Sequence, residues 1–168
     1  MITKWNFQTP TEEELHKRDR LASQLGLSPV VCLLLVQRGL TTVEEVKKFF
    51  KPSLNDLHDP FLMPDMDKAV RRLNKALGNK EKILIYGDYD VDGTTAVSLV
   101  FKYLRPYSST LDFYIPDRYD EGYGISYKGI DYAAENGVSL VISLDCGIKA
   151  IEKIEYAKEK GIDFIICD

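Results

Sequence analysis

The regular alternation of strand-like and helix-like segments from about residue 66 onward constrains the fold more than any other feature of this sequence. An amphipathic helix is expected first, with Ala69, Val70, Leu73 and Leu77 on its apolar face. Strands are then expected at residues 83–86, 111–115, 140–144 and 164–167, and helices near 94–105, 126–136 and 148–160. Such alternation predicts an α/β fold in which a parallel sheet carries helices on both faces.

The first part of the chain follows a different pattern and is expected to form a small helical subdomain. Three helix starts are marked by capping residues: Thr11 with Glu14, Ser28 with Pro29, and Thr42 with Glu45. The middle helix is too apolar to lie in a DNA groove, which disfavours a helix-turn-helix DNA reader. We therefore expect a helical leader and linker at residues 1–60, and the α/β domain at residues 61–168.

Acidic residues follow every predicted strand. The first strand runs into Asp88, Asp90 and Asp92, and the later ones into Asp117, Asp145 and Asp168. Ligands of open parallel sheets bind beyond the carboxyl ends of the strands, so these side chains are expected to converge on one crevice. The alternative is that each aspartate only caps the next helix. Capping accounts for one acid at each junction, but not for three within the stretch "GDYDVDG".

A group of neighbouring carboxylates requires protons or cations, because like charges raise one another's pKa. Mg²⁺ and Mn²⁺ prefer oxygen ligands, and a pair of such ions clamps the phosphoryl group in many hydrolases. The acidic strand ends therefore favour a site for divalent metal ions that activate a water molecule for attack on phosphorus.

Three other motifs were compared with "GDYDVDG". An EF-hand loop matches as far as Gly93 but would need a glutamate where Leu99 stands. A P-loop would need a lysine and a spacing that are absent. A haloacid-dehalogenase-type phosphotransferase would use Asp90 as a covalent nucleophile, although its nucleophile follows the strand directly, whereas Gly87, Asp88 and Tyr89 intervene here. Only the last of these stays open as an alternative function.

Composition limits the remaining possibilities. A formal net charge of −4 gives no overall attraction to nucleic acid, so DNA binding would need a local basic patch. The opening "MITKWNFQTP" lacks the apolar core of a signal peptide, and the apolar run at residues 30–36 is too short to cross a bilayer. We expect a cytoplasmic protein with no membrane partner. Its three cysteines lie too far apart to suggest disulfides or a zinc site.

Four motifs in order carry a family resemblance. They are "YGDYDVDGTTA" at 86–96, "PDRYDEGYGIS" at 116–126, "SLDCGI" at 143–148 and "IICD" at 165–168. Together they resemble the DHH phosphoesterase superfamily, and within it the exonucleases specific for single-stranded DNA. The resemblance implies hydrolysis of DNA from a 5′ end with two Mn²⁺ or Mg²⁺ ions, in DNA repair and recombination. Single-stranded DNA is the implied partner, and a single-strand-binding protein and a helicase are candidate protein partners.

The resemblance also implies roles for the acids. Asp90 and Asp92 would each ligate one metal ion, and Asp145 would bridge the pair. Asp88 stands where many relatives have a histidine ligand, so it would ligate directly or through water. Asp168 would be the first letter of the motif that names the superfamily. The implied catalytic residues are Asp88, Asp90, Asp92, Asp145 and Asp168, of which the first four are the implied metal ligands.

Four further residues are candidates for substrate binding. Arg118 could contact a phosphate or, equally, pair with Asp117 or Asp120. Tyr123 could stack on a base, and Gly124 could let the backbone approach a ligand. Gly147 permits a tight turn that could place N–H groups near an anion. The alternative for the glycines is a plain turn between a strand and a helix.

The sequence also suggests an unfinished domain. Residues 164–167 have a buried-strand pattern without a following helix. The only histidines, His16 and His58, lie in the leader and the linker, and neither fits a ligand position at a strand end. We therefore expect an amino-terminal fragment that is truncated at its carboxyl end, lacks the superfamily's two histidines and is inactive alone. The remaining alternatives are hydrolysis of oligoribonucleotides or cyclic dinucleotides, and a metal-binding or DNA-docking module without turnover.

Overall fold

The structure is a computed structural model that describes residue 4 and residues 9–168. The opening segment "MITKWNFQTP", which is not expected to be a signal peptide, lies mostly outside these residues. The chain divides into two compact units, Met1–Asp59 and Pro60–Asp168. No helix in the described part of the chain is both long and apolar enough to cross a membrane.

The first unit contains three helices, α1 (Glu12–Leu25), α2 (Pro29–Gln37) and α3 (Val43–Phe50). Capping boxes start α1 at Thr11 and α3 at Thr42, as their sequence spacing predicts. Ser28 precedes Pro29 of α2, but its side chain makes no cap hydrogen bond within the described part of the chain. A small core is formed by Leu21, Cys32, Leu35, Val36 and Val46.

The second unit contains the predicted alternation of helices and strands. Its elements are α4 (Met66–Gly78), β1 (Lys82–Gly87), α5 (Val91–Leu104), β2 (Leu111–Tyr114), α6 (Tyr127–Glu135), β3 (Val138–Leu144), α7 (Ile151–Glu159) and β4 (Asp163–Cys167). Two helix starts differ from the prediction. Helix α5 begins before residue 94 because Asp90 caps it, which places Asp92 in its first turn. Helix α7 begins after residue 148 because a tight turn with positive φ at Asp145 and Gly147 precedes it.

The four strands form one parallel sheet in the order β2-β1-β3-β4. In its register Gly87 lies beside Leu144, and Leu144 lies beside Cys167. The chain first builds outward from β1 to β2 and then crosses back to β3. The order therefore reverses between β1 and β3, where doubly wound proteins bind their ligands. Asp88 and Asp145 are the first residues beyond these two strands.

Each face of the sheet buries its own apolar cluster, which confirms helices on both faces. Alternate residues of β1 point to opposite sides, as expected for a strand. Leu84 and Tyr86 pack with α6 and α7, whereas Ile83 and Ile85 pack with α4 and α5. The strands β1 and β3 are almost wholly buried because helices cover both sides.

A polar network connects the amino-terminal ends of three strands, at the end of the sheet opposite to Asp88 and Asp145. Arg72 of α4 donates to Glu81 over 2.8 Å and to Asp163 over 2.6 Å. The Ser139 hydroxyl also donates to Glu81, over 2.6 Å. Hydrogen bonds from Ser139 and Arg72 lower the pKa of Glu81 to about 2. The ionised carboxylate therefore joins a helix to two strands.

We expect Glu81→Gln to lower the free energy of unfolding by about 1 to 2 kcal/mol at pH 7, because it weakens charge-assisted hydrogen bonds. The folded pKa lies below the ordinary value of 4.5. The contribution of Glu81 is therefore complete above about pH 5 and disappears as the pH falls toward 2. Urea unfolding across this range should show the two proteins converging in acid. Glu159→Gln, at an exposed helix end, should change stability by less than about 0.5 kcal/mol.

Candidate metal centre

Asp88 lies fully buried directly beyond β1. The first turn of α5 presses against it: a Cβ placed on Gly93 would lie 2.5 to 2.8 Å from backbone atoms of Asp88. The Gly124 N–H points at one carboxylate oxygen of Asp88 over 3.5 Å. The other oxygen has no hydrogen-bond partner in the described part of the chain. A buried carboxylate oxygen without a donor is costly unless a cation or a proton reaches it.

Asp90 and Asp92 lie at the start of α5. Asp90 is its N-cap and accepts a 2.9 Å hydrogen bond from the Gly93 N–H. Asp92 lies in the first turn and is exposed. The positive end of the helix dipole partly compensates both charges. Asp90 thus has a capping role, and this leaves its second oxygen available to a ligand.

Asp145 follows β3 in a left-handed conformation, with φ 59°. Its N–H donates to the Cys167 carbonyl of β4 over 2.8 Å, which fixes the turn to the sheet. Partial burial raises the pKa of Asp145, and the carboxylates of Asp90, Asp92, Asp168 and Asp88 raise it further. Five of the six predicted acids thus lie close enough for the other four to act electrostatically on Asp145.

The two remaining strand ends differ from each other. Asp168 is exposed, and its carboxylate accepts a 2.9 Å hydrogen bond from the Ile148 N–H while still acting electrostatically on Asp145. Asp117 instead caps its own turn, accepting from the N–H groups of Tyr119 and Asp120. These bonds lower its pKa. Asp117 therefore caps its own turn and not the next helix, α6, whose N-cap is Ser126.

The chemistry of this acidic crevice, comprising Asp88, Asp90, Asp92, Asp145 and Asp168, fits a hard divalent cation. Its donors are carboxylate oxygens, one of which is buried and has no hydrogen-bond partner in residue 4 or residues 9–168. Their mutual repulsion, visible in the raised pKa of Asp145, would be relieved by positive charge. Within residue 4 and residues 9–168, however, no three Asp, Glu, His or Cys side chains form a compact ligand group.

The loop of residues 117–126 covers one side of the acidic crevice. The Arg118 guanidinium lies over the ring of Tyr89, 5.2 Å from its centroid, and no ion pair with Asp117 or Asp120 is found among the described residues. Tyr123 meets the same ring edge to face, with centroids 6.3 Å apart. The Tyr123 hydroxyl donates to the Asp145 carbonyl over 3.4 Å. Arg118, Tyr89 and Tyr123 thus form one aromatic and cationic cluster beside the acids.

The two candidate glycines have structural reasons for their identity. Gly124 has φ 78°, and its buried backbone bonds to Asp88 and to the Tyr86 hydroxyl. Gly147 has φ 120°, and a Cβ there would lie 2.8 Å from Ile125. Gly124 therefore anchors the loop, and Gly147 allows a close approach of the turn.

Sequence reasoning missed Tyr89 and Glu121. Tyr89 lies between Asp88 and Asp90, which define the acidic motif. Its contact with Arg118 joins residues far apart in the sequence, so no sequence pattern indicates it. Glu121 lies within "PDRYDEGYGIS", where it was one acid among several, yet its carboxylate accepts from Tyr114, Asp117 and Ser126. A glutamate five residues before a helix N-cap was the available signal, although it is a weak one.

The strand order and the acidic crevice define a doubly wound α/β protein with an oxygen-rich site at its switch point. The sequence model of the DHH family, N-terminal domain, matches residues 82–168, which are just over half of the chain. The chain belongs to the DHH family.

The relatives are exonucleases. The single-stranded-DNA-specific exonuclease RecJ of Bacillus subtilis is 41% identical over 165 residues, which cover 98% of this chain and 21% of that protein. A crystal structure of exonuclease RecJ bound to manganese is 30% identical, with a TM-score of 0.55 over 60% of this chain and 26% of that one. RecJ from Thermus thermophilus, in complex with Mn²⁺, has a TM-score of 0.66 at 22% identity, covering 90% and 20% of the respective chains. The chain spans about a fifth to a quarter of the length of these relatives.

Proposed function

We propose that this chain supplies the amino-terminal part of a metal-dependent exonuclease that degrades single-stranded DNA from its 5′ end. The observation that carries the proposal is the position of Asp88 and Asp145 directly beyond the neighbouring strands β1 and β3, with one buried Asp88 oxygen that has no donor among the described residues. The similarity to RecJ proteins supports the substrate class. Under this proposal, residues 1–60 are a helical leader and residues 61–168 belong to the catalytic domain.

Asp88, Asp90, Asp92 and Asp145 would hold two divalent ions, Mn²⁺ or Mg²⁺, and Asp168 would lie beside them. Such ions supply charge neutralisation and activation of water. The protein's own contribution is to hold the carboxylates together against their repulsion. It does so through the buried position of Asp88, the capping bond of Asp90 and the backbone bond from Asp145 to Cys167.

The aromatic and cationic cluster of Arg118, Tyr89 and Tyr123 would bind the DNA. Arg118 presents a planar guanidinium suited to a phosphate, and Tyr89 holds that plane through a cation–π contact. Tyr123 is 64% exposed and offers its ring for stacking on a base. The cluster adds a local positive group to a chain of net charge −4. Gly124 contributes by shaping the loop that carries Tyr123, and Gly147 by shaping the turn that follows Asp145.

The biological setting follows from the same proposal. A nuclease of this kind would act in the cytoplasm, in DNA repair and recombination. A single-strand-binding protein and a helicase are its candidate partners. The Bacillus subtilis exonuclease is between four and five times as long as this chain, because the 165 matched residues are only 21% of it. We therefore propose that the 168-residue chain alone is nearly inactive and binds Mn²⁺ weakly, whereas the complete gene product is active.

The strand and direction of hydrolysis test the proposal. The complete gene product with Mn²⁺ should release labelled mononucleotides from 5′-labelled single-stranded DNA before any label leaves a 3′ end. Duplex DNA, short oligoribonucleotides and cyclic dinucleotides should be poorer substrates. Faster hydrolysis of oligoribonucleotides or cyclic dinucleotides than of single-stranded DNA would favour a phosphodiesterase for these small substrates. A stable phosphate adduct on Asp90 would favour the phosphotransferase, and metal or DNA binding without turnover would favour a binding module.

We expect Arg118→Ala to lower kcat/KM for 5′-phosphorylated single-stranded DNA by roughly 10- to 100-fold, mainly through KM, because a charge-assisted phosphate contact is lost. Arg118→Lys should restore part of the loss, since the charge returns without the planar fork. The salt dependence of DNA binding should weaken by about one phosphate contact. Arg71→Ala, on the exposed face of α4, is the control. Equal losses in the two alanine variants would contradict a specific contact.

A further inference from the structure

Glu121 is the centre of a hydrogen-bond group that the metal centre does not use. Its half-buried carboxylate accepts from the Tyr114 hydroxyl over 2.9 and 3.0 Å and from the Asp117 N–H over 2.8 Å. The Ser126 hydroxyl, at the N-cap of α6, also donates to it. Burial and the Glu121 carboxylate raise the pKa of Tyr114 to about 12, so this phenol remains a donor at neutral pH. One carboxylate thus connects the end of β2, the 117–126 loop and the start of α6.

The bond from Asp117 connects this group to the turn that contains Arg118. The Glu121 N–H donates to the Asp117 carbonyl over 2.9 Å, while the Glu121 carboxylate accepts from the Asp117 N–H. Two hydrogen bonds between Asp117 and Glu121 therefore close the turn of residues 117–121. Arg118 is the first residue inside this turn, so the path of its side chain starts from a fixed backbone.

The same group reaches the acidic crevice through Tyr86. The Ser126 N–H donates to the Tyr86 hydroxyl over 3.1 Å, and that hydroxyl donates to the Gly124 carbonyl over 3.0 Å. Tyr86 lies in β1, two residues before Asp88, and is almost fully buried. These hydrogen bonds therefore hold the 117–126 loop to β1, the strand that runs into Asp88.

We infer that Glu121 is a positioning residue that fixes Arg118, through the closed 117–121 turn, relative to the acidic crevice. The inference rests on the proposed function in one respect, namely that Arg118 receives a substrate phosphate. Glutamine at position 121 keeps the size but offers one acceptor oxygen, and its NH₂ group would face donors. Even where that oxygen faces the Asp117 N–H and the hydroxyls of Tyr114 and Ser126 reorient toward the NH₂ group, the bond from the Asp117 N–H loses its charge assistance, so the turn loosens.

A double-mutant cycle in the complete gene product tests the inference. Glu121→Gln should lower kcat/KM for 5′-phosphorylated single-stranded DNA about tenfold, mainly through KM, and by less than about twofold when Arg118 is already alanine. Equal fold losses in both backgrounds would overturn the inference, because a general loss of structure adds to the Arg118→Ala effect. Glu135→Gln, at the exposed end of α6, should have no effect.

Hydrogen exchange supplies a readout that does not depend on turnover. Glu121→Gln should speed exchange of the Asp117 amide at least about tenfold, while the β1 amides keep their protection. Unchanged exchange at Asp117 would overturn the inference. Should the glutamine variant fail to fold, Glu121→Asp keeps the charge with a shorter reach and is measured in the same cycle. A wild type that releases no nucleotide refutes the proposed function, and the exchange result then decides the role of Glu121 by itself.

Discussion

Asp145→Asn is expected to reduce Mn²⁺-dependent hydrolysis of single-stranded DNA on the order of a thousandfold in the complete gene product. The expected loss exceeds the 10- to 100-fold that is typical of residues behind the metal ligands, because Asp145 would contact the ions directly. Asparagine is the appropriate replacement, since it tolerates the left-handed backbone at this position and removes only the charge. Single-turnover hydrolysis of end-labelled DNA gives the measurement.

The same substitution should affect stability in the opposite direction. Asp145 is repelled by Asp90, Asp92, Asp168 and Asp88, so its neutralisation should raise the melting temperature in the presence of EDTA. Mn²⁺ should then raise the melting temperature of the wild type but not of the variant. The exposed Asp67→Asn on α4 is the matched control and should retain activity. A variant that is both inactive and less stable in EDTA would contradict an electrostatic site.

Gly93→Ala is expected to lower the free energy of unfolding by about 3 kcal/mol and to abolish metal binding. The added Cβ would lie 2.5 to 2.8 Å from three backbone atoms of Asp88, none of which can rotate away. Helix α5 must therefore move away from the end of β1, and Asp90 moves with it. Urea unfolding monitored by circular dichroism, together with Mn²⁺ titration, measures both effects.

Gly78→Ala provides the comparison for this substitution. Gly78 is the last residue of α4, and no atom of the described residues lies within 4 Å of the position that its Cβ would occupy, its chain neighbours and its own helix backbone aside. Alanine there should be neutral or stabilising by a few tenths of a kcal/mol. A Gly93→Ala protein with the stability and Mn²⁺ affinity of the wild type would show that α5 does not need its close contact with Asp88.

The sheet and its acidic end could be predicted from the sequence because both follow from local patterns. Apolar segments such as residues 140–144 alternate with amphipathic helices, and aspartates stand directly after the strands. The strand order could not be predicted, since it depends on which helix crosses which face. That order decides that Asp88 and Asp145 become neighbours whereas Asp117 caps its own turn.

The residues that hold the loop beside the acids were harder to predict from the sequence than the acids themselves. Tyr89 meets Arg118 across two loops, and Glu121 meets Ser126 and Tyr114 from the opposite side of its turn. Such contacts join residues that share no periodicity, so linear motifs do not indicate them. Helix α5 begins at Val91 and not near residue 94, because Asp90, which was expected to act as a metal ligand, is also its N-cap.

The location of bound Mn²⁺ tests the central claim most directly. Crystals of the complete gene product soaked in Mn²⁺ can be measured for anomalous scattering at the manganese edge. We predict anomalous peaks between the carboxylates of Asp88 and Asp145, and their loss in the Asp145→Asn protein. Peaks elsewhere, with Asp88 and Asp145 free of metal, would contradict a metal centre at the β1/β3 switch point.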